Sequence, residues 1–156
     1  MRRIASLLIL AAVALLPAKA APPLPMAFGV TYNRSIKCHQ NGLGFKLITD
    51  LGKRVRIEPE MIYFVEHDDV TALHLNINLH WRMPLFDRFT FYPLVGLSYT
   101  HWGYEGPNAS RWGANLGAGA EYHFMRQLSA FTEARILFVS HETQPIYNVG
   151  VKYHFR

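Results

Sequence analysis

Asn148-Val149-Gly150-Val151-Lys152-Tyr153-His154-Phe155, near the end of the 156-residue chain, alternates without a break. Tyr147, Val149, Val151, Tyr153 and Phe155 fall on one parity, and Asn148, Gly150, Lys152 and His154 on the other. Successive side chains of a strand point to opposite faces, so this stretch is a strand with one apolar, aromatic face and one polar face. A soluble barrel or sandwich buries the apolar face of such a strand, whereas a membrane barrel turns it outward. Alternation alone does not distinguish the two, so the rest of the chain has to decide.

Seven earlier stretches alternate in the same way. The first covers about 26–36, with Phe28, Val30 and Tyr32 on its apolar face, and the second about 41–50, with Leu43, Phe45 and Leu47 opposite Gly44 and Lys46. The third, about 54–66, sets Val55, Ile57, Met61, Tyr63 and Val65 against Arg56, Glu58, Glu60, Ile62 and Phe64. The remaining four lie at about 70–82, 88–100, 112–124 and 128–140. From the third strand onward the apolar face carries no Asp, Glu, Lys or Arg. The other face carries Arg56, Glu58, Glu60, Arg82, Glu121, Glu133, Arg135, Lys152 and Arg156. A lipid-facing charge at mid-bilayer costs about 2–4 kcal/mol, so this segregation is what a membrane barrel requires. The polar face is also rich in Gly, Asn, Ser and Thr, unlike a well-solvated surface.

With strand directions alternating, Trp81, Phe89, Tyr122, Phe124, Tyr153 and Phe155 gather at one end, and Tyr63, Tyr99, Trp112 and Tyr147 at the other. Two such girdles are expected at the two membrane interfaces. The longer connections, 101–111 above all and 140–145, are expected at the second end. Pro59 and Pro93 fall inside strands, where each removes a ladder donor, so a bulge or distorted pairing is expected at both.

The opening residues read as a secretory signal peptide over 1–20. Arg2 and Arg3 precede an apolar run, Ile4 to Leu16, and Ala18-Lys19-Ala20 forms a cleavage site. The apolar run is short for a transmembrane helix of about 20 residues. The remainder, 21–156, is expected to form one domain. Removing Arg2, Arg3 and Lys19 lowers Lys+Arg from 16 to 13 against 11 acids, a formal charge of +2, which gives no basis for nucleic-acid binding. Cys38 has no second cysteine to pair with and reads as a loop thiol.

From Met26 to Arg156 the chain resembles the small outer-membrane β-barrel family of Gram-negative bacteria, OmpX-like or porin-like. The resemblance is carried by Glu58-Pro59-Glu60-Met61-Ile62-Tyr63, by the 91–99 and 115–122 stretches, and by the C-terminal strand. Asn148, Gly150, Tyr153 and Phe155 resemble the C-terminal signal read by the barrel-insertion machinery, although Arg156 follows the final aromatic. The resemblance implies an all-β, eight-stranded antiparallel up-and-down transmembrane β-barrel in the outer membrane, with both termini in the periplasm. It implies no single function.

Few residues invite chemistry. Arg56, Glu58, Glu60, Glu121, Glu133 and Arg135 share the inward face, where charges must pair, so they read as a lumen charge network and not as acid–base catalysts. His74 and His80 share a face but sit about 20 Å apart, and His123 and His154 also face the lumen near the periplasmic end; no close-spaced ligand motif occurs, so neither a metal site nor a cofactor is expected. Ser140-His141 is the nearest approach to the His-x-Ser pair of a lipid A deacylase, yet adjacent strand residues project oppositely. Trp102 and Tyr104, in the 101–111 stretch, are the candidates for surface contact. The expected protein is therefore a monomeric, non-enzymatic barrel with a side-chain-filled lumen and a structural or surface-interaction role. Its expected partners are outer-membrane lipid and lipopolysaccharide, the insertion machinery and periplasmic chaperones. The alternatives are a deacylase-like hydrolase and a narrow channel.

Overall fold

The computed structural model describes residues 25–67, 70–103, 109–140 and 142–155. The proposed signal peptide, Tyr104, His141 and Arg156 lie outside them. The described residues form nine strands: β1 Met26–Ser35, β2 Asn41–Asp50, β3 Val55–His67, β4 Val70–Trp81, β5 Met83–Phe86, β6 Phe89–Gly103, β7 Ala109–His123, β8 Leu128–Val139 and β9 Glu142–His154. Among these residues no helix is long and apolar enough to cross a membrane.

Each long strand pairs antiparallel with its neighbours in chain order, and β4 pairs with β6. The C-terminal strand closes the sheet against the first, with Phe28 opposite Tyr153, Val30 opposite Val151 and Tyr32 opposite Val149. The result is an eight-stranded up-and-down barrel without a free edge, which satisfies the backbone polar groups internally.

The ninth strand has a specific origin. The β4–β6 ladder runs to His80 opposite Leu94 and then stops. Pairing resumes in the same register with Met83 opposite Phe91 and Pro84 opposite Thr90. Pro93 lies in the interval and offers no N–H, so one long strand is interrupted there and appears as β4 and β5. Pro59 acts similarly on its β2 side. Lys46 pairs with Glu60 and Thr49 with Ile57, and the ladder is unpaired between them. Both prolines therefore interrupt pairing without shifting it. The register shifts lie elsewhere, between Phe64 and His67 and between Pro84 and Phe86.

Strand parity sorts the side chains as the alternation predicts. Leu43, Phe45, Met61, Ile77, Val95, Leu97, Val149 and Val151 are exposed on the outside, while Lys46, Glu58, Asn78, Glu121 and Lys152 are fully buried. This inverts the order of a soluble barrel. Trp81, Tyr122, Phe124, Tyr153 and Phe155 point outward at the end that carries both termini, and Tyr63, Trp112 and Tyr147 at the opposite end. Tyr99 and Trp112, paired across β6 and β7, bring their rings to 5.2 Å.

The connections differ from the sequence reading. Strand β6 continues to Gly103 and β7 begins at Ala109, with Trp102 opposite Ala109, so the 101–111 stretch is mostly ladder. Strand β9 begins at Glu142, opposite Val139, so 140–145 is a tight turn followed by strand. Turn-forming composition (Gly, Pro, Asn, Ser) was outweighed by continued pairing with a neighbour already in register. By strand bounds the connections at the opposite end reach five residues (36–40 and 104–108) and those at the terminal end four (51–54 and 124–127), a difference of one residue.

Candidate functional site: the interior charge array and the terminal mouth

The inward parity of β2, β3, β7, β8 and β9 brings eight ionic side chains together. Lys46, Arg56, Arg135 and Lys152 face Glu58, Glu60, Glu121 and Glu133, and all eight are buried. Formal charges in this set cancel, as burial in a narrow interior demands. The pairs run across the barrel. Lys46 Nζ lies 2.6 Å from Glu133 Oε2, 2.9 Å from Glu58 Oε1 and 3.4 Å from Glu60 Oε1. Arg56 Nη1 lies 2.7 Å from Glu121 Oε2, and Arg135 Nη1 2.5 Å from Glu60 Oε2. Lys152 Nζ lies 3.3 Å from Glu121 Oε2 and 3.7 Å from Glu58 Oε2.

Neutral donors complete the array. The Tyr92 hydroxyl donates to Glu133 Oε1 at 2.8 Å and the Asn148 amide to Glu133 Oε2 at 2.9 Å, while Asn76 donates to Glu60 at 3.1 Å. Lys46 and Lys152 also sit over the Phe131 ring, 4.7 and 4.2 Å from its centroid, an additional cation–π contact for each ammonium. Toward the opposite end the interior changes character. Ile62, Phe64, Ala72, Leu137, Val139 and Ile146 form a buried apolar cluster.

All six charges expected from the sequence to share the interior are placed there, with Glu121 and Glu133 on different partners. The reading left out Lys46 and Lys152 as members of the array. Four carboxylates against two arginines leave an excess of negative charge, and that imbalance on an inward face was the available signal for two more cations. Trp102 departs from the expectation of a contact loop. It lies in β6 on the inward parity and packs against the apolar cluster, which its indole partly covers. Tyr104 lies outside the described residues.

Of the C-terminal signal residues, Asn148 is buried and bonded to Glu133, and Gly150 faces inward beside Phe131. Tyr153 and Phe155 point outward, their rings 5.2 Å apart and nearly perpendicular. Ser140 occupies the β8–β9 turn at φ 27°, in the left-handed region. Cys38 is an exposed free thiol that accepts a hydrogen bond from Gln144 at 3.1 Å.

One grouping escapes sequence spacing altogether. His123 near the end of β7 and His154 near the end of β9 bring their rings to 5.1 Å, with Glu121 beside both. They flank an open cavity of about 310 Å³ at the terminal end, lined also by Asp50, Arg56 and Met125. Glu58, His80 and Glu133 also converge, deep in the interior.

In comparison with known proteins, residues 5–155 match the family model of the outer membrane protein beta-barrel domain. No curated protein matches the sequence. Among solved structures, the N-terminal β-barrel domain of Pseudomonas aeruginosa OprF superposes with a TM-score of 0.73 at 16% identity, over 84% of this chain and 97% of that one. Neisserial surface protein A gives 0.62 at 11% identity, covering 85% and 96%. The Yersinia pestis outer membrane protein Ail gives 0.59 at 10% identity, covering 85% and 100%. At these identities the likeness is one of fold.

Proposed function

The chain belongs to the outer membrane protein beta-barrel domain family, and from that premise we propose that it is a non-enzymatic barrel whose interior is filled by its own side chains and whose role is structural or one of surface contact. The observation that carries this reading is the charge-cancelling array spanning the barrel from Lys46 to Glu133, capped by the Ile62–Phe64–Leu137 cluster. An eight-stranded barrel is only wide enough to be filled by side chains, and an array with its carboxylates held by ammonium and guanidinium groups offers neither an ion path nor a free base.

The chain is taken to be a monomer, exported through a cleaved signal peptide into the outer membrane of a Gram-negative bacterium, with its terminal end in the periplasm. Its partners are outer-membrane lipid and lipopolysaccharide, together with the insertion machinery and chaperones that deliver it. The outward apolar band and its two aromatic girdles support contact with lipid. Tyr153 and Phe155, outward on a strand that closes the sheet, support the role of β9 as an insertion signal.

The test is reconstitution into a planar bilayer with a parallel heat-modifiable gel assay. A folded, heat-modifiable protein that leaves the bilayer silent is the expected result. Stepwise conductance from the folded protein would overturn the filled interior.

A further inference from the structure

We propose that Glu121, His123 and His154 form a binding site for a divalent transition metal of the zinc type, open to the cavity at the terminal end of the barrel. The site follows from strand geometry. Glu121 and His123 are two residues apart on β7 and share the inward face. His154 arrives from β9, with only β8 between, because Ser129 of β8 stands opposite both His123 and Lys152. Two imidazoles and a carboxylate thus meet at one level of the barrel although 31 residues separate His123 from His154 in the chain.

The distances suit tetrahedral coordination. Glu121 Oε1 lies 3.5 Å from His123 Nε2 and 3.2 Å from His154 Nε2, and all three ligand atoms fall within 4.8 Å of one another. Zinc bonds of 2.0–2.1 Å in a tetrahedron place neighbouring ligand atoms about 3.4 Å apart. The ligands are held in place. The backbone N–H of His123 donates to the Arg88 carbonyl and that of His154 to the Gln127 carbonyl, both at 2.8 Å, which fixes the main chain at both positions. Ser129 Oγ lies 2.7 Å from Glu121 Oε1 and 2.9 Å from His154 Nε2, so it joins the two ligand atoms in the free barrel and turns aside when a metal takes its place on Nε2. The imidazoles keep 34% and 20% of their side-chain surface exposed and line the cavity, which supplies an entry path and room for a water as fourth ligand.

The other Glu121 oxygen is held by Arg56 at 2.7 Å and Lys152 at 3.3 Å. These cations oppose a hard ion bound mainly by charge, such as calcium or magnesium, which takes oxygen ligands. They leave Oε1 and two imidazoles for a metal that prefers nitrogen. The deeper Glu58–His80–Glu133 group does not compete. Its residues are sealed from solvent, and Lys46 holds a carboxylate oxygen of each glutamate at 2.9 and 2.6 Å.

The full barrel, carrying Cys38→Ser and His39→Ala to remove the exposed thiol–imidazole neighbours, is stripped with chelator and titrated with ZnCl2 by calorimetry in detergent. One saturable equivalent is expected, absent from the His123→Ala/His154→Ala form that keeps its heat-modifiable mobility. A zinc-free titration, or an equivalent that survives in the double variant, overturns the site. Should that variant not fold, Cu2+ is added to the parent barrel and amide relaxation is mapped. Broadening centred on 121–123, 129 and 152–154 supports the site, and broadening centred elsewhere overturns it.

Discussion

Lys46 Nζ lies 2.6 Å from Glu133 Oε2, joining β2 to β8 across the interior although 87 residues separate them in the chain. The same ammonium reaches Glu58 and Glu60, so one cation holds three carboxylates in place. Lys46→Met is expected to destabilise the barrel by about 3–5 kcal/mol, because it strands buried negative charge. Adding Glu133→Gln to it should restore part of the loss, giving a clear coupling energy in urea titrations of the protein refolded in vesicles. Strictly additive effects would argue that the pair is not energetically joined.

Tyr92 crosses the face of Gly119 on the adjacent strand. A Cβ added at Gly119 would stand 2.5 Å from the Tyr92 ring and 2.7 Å from the Glu133 side chain. Gly119→Ala is expected to cost about 1–3 kcal/mol by overpacking, and to displace the Tyr92 hydroxyl from Glu133. Gly52, in the β2–β3 turn, has nothing within 4 Å of the added carbon, so Gly52→Ala should stay within about 0.5 kcal/mol. Equal costs at the two positions in the same titration would refute the packing argument.

The outward face is a lipid face. Leu97, paired with Ile77 and Ala114, is 63% exposed on it. Leu97→Arg should lower folding stability in bilayers by about 2–4 kcal/mol. On a water-facing surface the same change would be close to neutral, so vesicle refolding separates the two.

The three tryptophans report on three surroundings. Trp81 and Trp112 are 50% and 71% exposed on the outside, whereas Trp102 packs inward on the apolar cluster. In single-tryptophan forms, brominated lipid should quench Trp81 and Trp112 strongly and Trp102 weakly. Strong quenching of Trp102 would place it in lipid and contradict its inward parity.

The barrel was legible because parity is a rigid code. Once Val149, Val151 and Tyr153 faced one way, Asn148 and Lys152 had to face the other, and the one charge on the outward parity of β1, Arg34, stands at its end beside Ser35. The ends of strands were less legible. His101, Trp102 and Gly103 look like loop residues, yet β4 supplies a partner in register for each, and pairing decides. The break between β4 and β5 was half visible. Pro93 predicts a lost hydrogen bond, but sequence does not show that the ladder resumes in the same register beyond it. The inward parity of Glu121, His123 and His154 near the terminal end was legible, but their contact was not, since ligand spacing along a chain says nothing about residues brought together from strands two apart.

The interior array also constrains the order of assembly. Lys46, Arg56, Glu58 and Glu60 come from the first half of the barrel, and Glu121, Glu133, Arg135 and Lys152 from the second. Each half is neutral as a sum, but Lys46 with Glu133, Arg56 with Glu121, Arg135 with Glu60 and Lys152 with Glu58 all cross between halves. A half-built sheet entering hydrocarbon would carry Arg56 without Glu121 and Arg135 without Glu60, while Lys46 would keep Glu58 and Glu60 and Lys152 would keep Glu121. Curling up must therefore come before or together with burial in the bilayer, and probes of β1–β9 contact and of lipid depth should rise with a single time constant during refolding.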